Sequence, residues 1–155
     1  MKIRIETDNN LREPEIIIRS QRLDGDAAEL QSAIMKALAK TRKLTLFRGG
    51  KEFYLSPDDV LFFESVDGKT YAHTTQQIFE SKQRLYELEN SLPSSFVRIS
   101  KSAIADTRRI LAITRNLTGP SLIQFRGSHK QISVSRGYFK MLRDRLNERS
   151  LYEEK

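Results

Sequence analysis

From Leu44 onward the apolar residues fall in short alternating runs, and this period of two constrains the fold more than any other feature of the chain. Leu44-Thr45-Leu46-Phe47 and Lys51-Glu52-Phe53-Tyr54-Leu55 flank Gly49-Gly50 and predict a hairpin. Ser56-Pro57-Asp58-Asp59 sets a capping serine before a proline, which predicts one helical turn. A buried strand over 60–65 follows, and the Asp67-Gly68 turn sends the chain back as a partner strand over 70–74. Four further β-like segments run between Phe96 and Ser135, punctuated by Gly119-Pro120 and Gly127. Two helices interrupt this pattern. Lys82 to Leu92 carries Leu85, Leu88 and Leu92 on one face and stops at Pro93. The second begins near Arg136, with Ser135 as its cap, and buries Phe139, Leu142 and Leu146. The expected class is α+β, mainly β with flanking helices.

The first 43 residues read differently. Ile-rich runs over 2–6 and 15–20 predict a hairpin around Asn9-Asn10. Asp26 and Glu29 have capping-box spacing, and Leu30, Ile34, Ala37 and Leu38 then recur at helical intervals, predicting a helix over 27–40. Lys40, Arg42 and Lys43 suit the negative end of its dipole. The organisation expected is a hairpin-and-helix extension over 1–43, one domain over 44–147 and a polar, frayed tail over 148–155, since 155 residues do not suffice for two full domains.

Several function classes are disfavoured. The apolar run Val60-Leu61-Phe62-Phe63 is far below the roughly 20 residues of a membrane span, and the N-terminus has no signal-peptide pattern, so a cytoplasmic protein is expected. With no cysteine and two histidines, neither a metal site nor a cofactor is expected. Gly68-Lys69-Thr70 imitates the end of a phosphate-binding loop, but Phe63 stands where that loop requires glycine. No Gly-x-Ser-x-Gly elbow occurs, and His73 reads as an ordinary strand residue. The expectation is a protein without catalytic activity or a small-molecule substrate.

Charge points to a partner. Lys plus Arg against Asp plus Glu is 8 to 7 over residues 1–42 and 6 to 8 over 43–97, but 11 to 2 over 98–145. Such clustering in one folded third indicates a polyanion.

The segments DVLFFESVDGKTYAH at 59–73, LPSSFVRISKSAIADTRRI at 92–110 and GSHKQISVSRGYFKMLRDRL at 127–146 together resemble the LytTR DNA-binding family. The resemblance covers about 44–146. Its specificity lies in the order of parts: strand, leucine helix, Phe-x-Arg-Ile-x-Lys-Ser, apolar strand, then Val-Ser-Arg opening a helix. It implies an elongated arrangement of small sheets that reads double-stranded DNA with loop side chains instead of a recognition helix. The short extension resembles that of stand-alone regulators of this type.

The resemblance further implies which residues meet DNA. Ser100, Lys101 and Ser102 fall at the break between two apolar stretches, where family members make major-groove contacts; here Ser100 replaces the usual His, and Lys101 the Asn or Arg. A lysine there can meet a guanine edge or a phosphate, and the sequence leaves both open. Arg136 matches the basic residue before the last helix and is the strongest candidate for base contact. Lys69 matches a third contact loop, and Arg115 with Asn116 forms a fourth. Arg98, Arg108, Arg109, Arg126 and Lys130 are assigned to phosphate or to structure. The partners implied are duplex DNA with repeated promoter sites, a second copy of the chain as a homodimer, and a small membrane protein that sequesters the regulator. The alternative is an RNA- or ribosome-associated basic β module, which requires exposed aromatics for base stacking.

Overall fold

A computed structural model describes residues 4–11, 15–22 and 25–153. The chain divides by contact into two units, residues 1–34 and 35–155.

In the first unit the described residues 4–8 and 15–20 carry no strand, and Ile5, Ile16 and Ile17 are exposed. The expected N-terminal hairpin is therefore absent among the described residues; residues 2 and 3 lie outside them. Two isolated strands are marginal in water without a third strand or a covering helix. The expected helix does form, as α1 (Gly25–Thr41). It starts earlier than its spacing suggested, so Asp26 lies in its first turn and not at the cap. The Lys40 side chain is outside the described residues.

The second unit contains two antiparallel sheets. Seven strands make the first: β1 (Leu44–Arg48), β2 (Lys51–Leu55), β3 (Phe62–Val66), β4 (Lys69–His73), β5 (Ile78–Ser81), β6 (Phe96–Ser100) and β7 (Ala103–Asp106), ordered β2-β1-β5-β4-β3-β7-β6. The second is β10-β9-β8, from β8 (Ile110–Thr114), β9 (Ser121–Phe125) and β10 (Gln131–Val134). Helix α2 (Leu85–Ser91) links β5 to β6, and α3 (Arg136–Glu153) follows β10.

The region 96–135 thus holds five strands where four segments were expected, and β5 is an addition, a four-residue strand with one buried apolar side chain, Phe79. Helix α2 is shorter than the leucine spacing implied, because Arg84 is its cap and Ser81 still belongs to β5. Helix α3 is longer, its backbone continuing through the expected tail to Glu153; residues 154 and 155 are outside the described set. The Ser56 turn forms as predicted, with Asp58 N donating to Ser56 Oγ and Ser56 N to Asp59 Oδ2.

The seven-stranded sheet is buried on both faces, which explains the unbroken apolar run at its centre. Phe63, Ala72, Phe79 and Ile104 face Leu85, Leu88 and Leu92 in one core. Leu61, Phe62, Ile99, Ala103 and Ala105 share the other with Ile123, Phe125, Ile132 and Val134 of the second sheet and Leu142 of α3. This second core fixes the two sheets and α3 as one body, so loops at one end of the strands hold defined positions.

Candidate nucleic-acid interface

Strand register decides which loops share an end. Val66 pairs with Lys69 across Asp67-Gly68, whose φ values of 50° and 78° give the doubly left-handed turn that suits two-residue hairpins. Glu64 pairs with Ala103, and Ser65 N donates to Ser102 O at 2.8 Å. The turn carrying Lys69 therefore lies beside the turn carrying Lys101.

The β6–β7 ladder shifts register between Arg98, opposite Ile104, and Ser100, opposite Ala103. Ile99 is the extra residue of this bulge. Its side chain is fully buried, and its carbonyl accepts Ser135 N at 3.0 Å. Ser135 O in turn accepts from Tyr138 N and Phe139 N, opening α3 with Arg136 in its first turn. Arg136 and Lys101 thereby lie one and two residues beyond a hydrogen-bonded pair of backbone positions, Ser135 and Ile99. Both are exposed, and among the described residues neither side chain has an ion-pair or hydrogen-bond partner.

Arg115, on the loop after β8, places its guanidinium carbon 5.6 Å from the Phe139 ring. This brings the fourth candidate loop against the start of α3, so all four loops gather at one end of the molecule's second unit. The geometry separates their side chains by task. Ser100 Oγ accepts from Ser102 N at 3.2 Å and lies 3.4 Å from Ser102 Oγ, so these hydroxyls build the turn. Asn116 Oδ1 accepts from Thr118 N and Oγ1, shaping its own loop. Lys69 is 4.0 Å from Glu80 with its side chain largely exposed, a weak pair that leaves it available.

Lys82 also belongs at this end, because it follows Ser81, whose partner across the ladder is Thr70. Its ammonium lies 4.2 Å from the centre of the Phe47 ring. Sequence reasoning passed over it because β5 itself gave no signal.

Several other cations of the basic third are engaged away from this surface. Arg108 donates to Asp58 at 2.7 Å and to both carboxylate oxygens of fully buried Asp106, which holds its guanidinium well above its usual range. Arg109 reaches Asp58 O at 2.8 Å, and Arg109 O accepts Arg126 N at the opposite end of β8 and β9. Lys130 Nζ donates to Gln77 O at 2.7 Å, with burial pulling its pKa down. The side chains of Arg108, Arg109 and Lys130 stitch the far end together, and Arg126 joins it through its backbone. The uneven charge count thus overstates the charge available to one partner.

The phenylalanines in and just before this third do not form a stacking platform: Phe96 and Phe125 are 8% and 1% exposed, and Phe139 lies under Arg115. That disfavours the RNA-binding alternative. Among the described residues no cluster of His, Asp and Glu could hold a metal, and no helix is long and apolar enough to cross a membrane. No two helices are consecutive either, so no helix-turn-helix pair occurs among them.

Comparison with known proteins agrees with this architecture. The LytTr DNA-binding domain, as a family, matches residues 50–147. An uncharacterized HTH-type transcriptional regulator of Staphylococcus aureus strain NCTC 8325 is 29% identical over 147 residues, covering 95% of this chain and 99% of the relative. A counterpart in strain N315 matches equally. Among solved structures, the LytTr DNA-binding domain of a Bacillus cereus DNA response regulator superposes with a TM-score of 0.62 at 26% identity, over 67% of this chain and 95% of that one. With more than half of its length matched and the fold shared, the chain belongs to the LytTr DNA-binding domain family.

Proposed function

We propose that this DNA-binding transcriptional regulator reads duplex DNA with the loop end of its second unit, Arg136 and Lys101 entering the major groove while Lys69, Arg115 and Lys82 meet flanking phosphates. The observation that carries the reading is the pair of backbone ties, Ser135 N to Ile99 O and Ser65 N to Ser102 O, that joins three candidate loops at one end. An arginine can meet guanine O6 and N7 with two hydrogen bonds, whereas phosphate contacts add affinity without sequence information. Ser100, Ser102 and Asn116 support the loops and carry little of the readout.

Two copies bound to a repeated site is the assembly that suits a monomer offering one compact reading end. The extension over 1–43, with its exposed isoleucines, is a candidate surface for the second copy or for a sequestering membrane protein.

Fluorescence anisotropy with a duplex selected from a random pool, and with its scrambled counterpart, tests the reading across a salt series. The log-log slope is expected to be about −0.9 per phosphate neutralised. A slope near zero would remove the electrostatic mechanism. Arg136→Ala should lower affinity for the selected duplex by about 1–3 kcal/mol and leave the scrambled one nearly unchanged. An equal loss on both would make Arg136 a phosphate contact.

A further inference from the structure

We propose that Arg98 is a positioning residue for the Lys101 turn, held in that role by Glu89 of α2; the inference rests on the DNA-reading function of that turn. Arg98 Nε donates to Ser100 O at 2.8 Å, Nη2 donates to Lys101 O, and Nη1 donates to Glu89 Oε2 at 3.0 Å. The guanidinium therefore grips two successive carbonyls of the turn and is itself aligned by a carboxylate from another element. A phosphate-contacting arginine presents its head to solvent; the Arg98 side chain is only 19% exposed. The location also accounts for the need. The ladder loses register between Arg98 and Ser100, and a rigid planar fork replaces backbone pairing there. The grip draws two carbonyl oxygens toward the protein, which leaves the Lys101 side chain, and not its backbone oxygen, to meet the nucleic acid.

The sign of the Glu89 effect separates this role from plain electrostatics. Removing a carboxylate from a DNA-binding protein strengthens binding to any duplex if charge alone acts. If Glu89 aligns Arg98, Glu89→Gln weakens binding to the selected duplex and lowers discrimination by about tenfold, while binding to scrambled DNA stays level or tightens. Arg98→Lys keeps the charge but cannot hold both carbonyls and Glu89 in one plane, so it should lose discrimination with the salt slope unchanged.

Both variants and wild type are to be compared by anisotropy on the two duplexes. Equal tightening by Glu89→Gln on both, or an equal loss of affinity on both duplexes in Arg98→Lys, would overturn the proposal. Amide hydrogen exchange of the DNA-free proteins supplies an independent reading. Exchange at Lys101 and Ser102 should accelerate in both variants, with the melting temperature of Glu89→Gln nearly unchanged because Glu89 is half exposed. Unaltered exchange at the turn would overturn the brace whatever the DNA result. If wild type itself fails to discriminate while exchange accelerates in the variants, the DNA reading fails and the brace stands.

Discussion

His73 is 7% exposed, stacked on Phe62 with ring centroids 4.2 Å apart, and its Nε2 lies 2.8 Å from Glu64 Oε1 without well-aligned hydrogen-bond geometry. Burial pulls its pKa below the ordinary 6.5; Lys130 adds to the effect and Glu64 opposes it. The folded protein therefore binds this proton more weakly than the unfolded chain, so the stability contributed by the neutral ring is complete above 6.5 and is lost as the pH falls below it. Wild type should lose more melting temperature between about pH 7.5 and about pH 5.5 than His73→Phe, which keeps the ring stack. Identical losses would assign the acid sensitivity elsewhere. At this scale the sequence was legible for exposure: Lys101, at a turn, and Arg136, at the start of a helix, were expected to project from the fold, and both are exposed. It was silent where action depends on a distant partner. Arg98 meets Glu89 nine positions upstream on another element, and Arg108 meets Asp58 fifty positions away, separations that no local pattern encodes.

Helix α3 shows how an element transmits position. Leu142 is fully buried in the core shared by the two sheets, whereas Met141 is 46% exposed. Leu142→Ala should destabilise by about 2–5 kcal/mol in urea unfolding, and Met141→Ala by no more than about 0.5 kcal/mol. Comparable effects would mean that α3 is not seated as described. Since Arg136 opens this helix, partial loss of its seating should also reduce DNA discrimination before global unfolding. Elements with strong punctuation were readable beforehand, such as the hairpins at Gly49-Gly50 and Asp67-Gly68. Strand β5 was not, because it alternates over only four residues and pairs through partners already committed to other strands. The N-terminal hairpin, absent among the described residues, failed in the opposite direction, for its apolar runs signal strand propensity but supply no third strand to complete a ladder.

For the whole molecule, the sandwiching of one sheet between two cores leaves the loops at one end as the natural place for recognition. The far end, tied by Arg108, Arg109 and Lys130, maintains shape. Sheet order could not be read from sequence, since β1 meets β5 and β3 meets β7 through contacts distant along the chain. A chain of residues 44–155 should melt cooperatively and bind a single half-site as tightly as the full protein, while losing cooperative occupancy of the repeated site. Sedimentation velocity and titration of one- and two-site duplexes check this; undiminished cooperativity would exclude the extension as the dimer contact.

The bulge at Ile99 has one more effect. Because a single backbone carbonyl there anchors the start of α3 while the next two residues enter the Lys101 turn, the spacing between the two side chains proposed to read DNA is set by main-chain geometry common to any sequence that keeps the extra residue. A regulator made this way acquires new targets by exchanging side chains at fixed stations, not by sliding one loop past another, so its descendants should diverge in operator letters while retaining the interval between them.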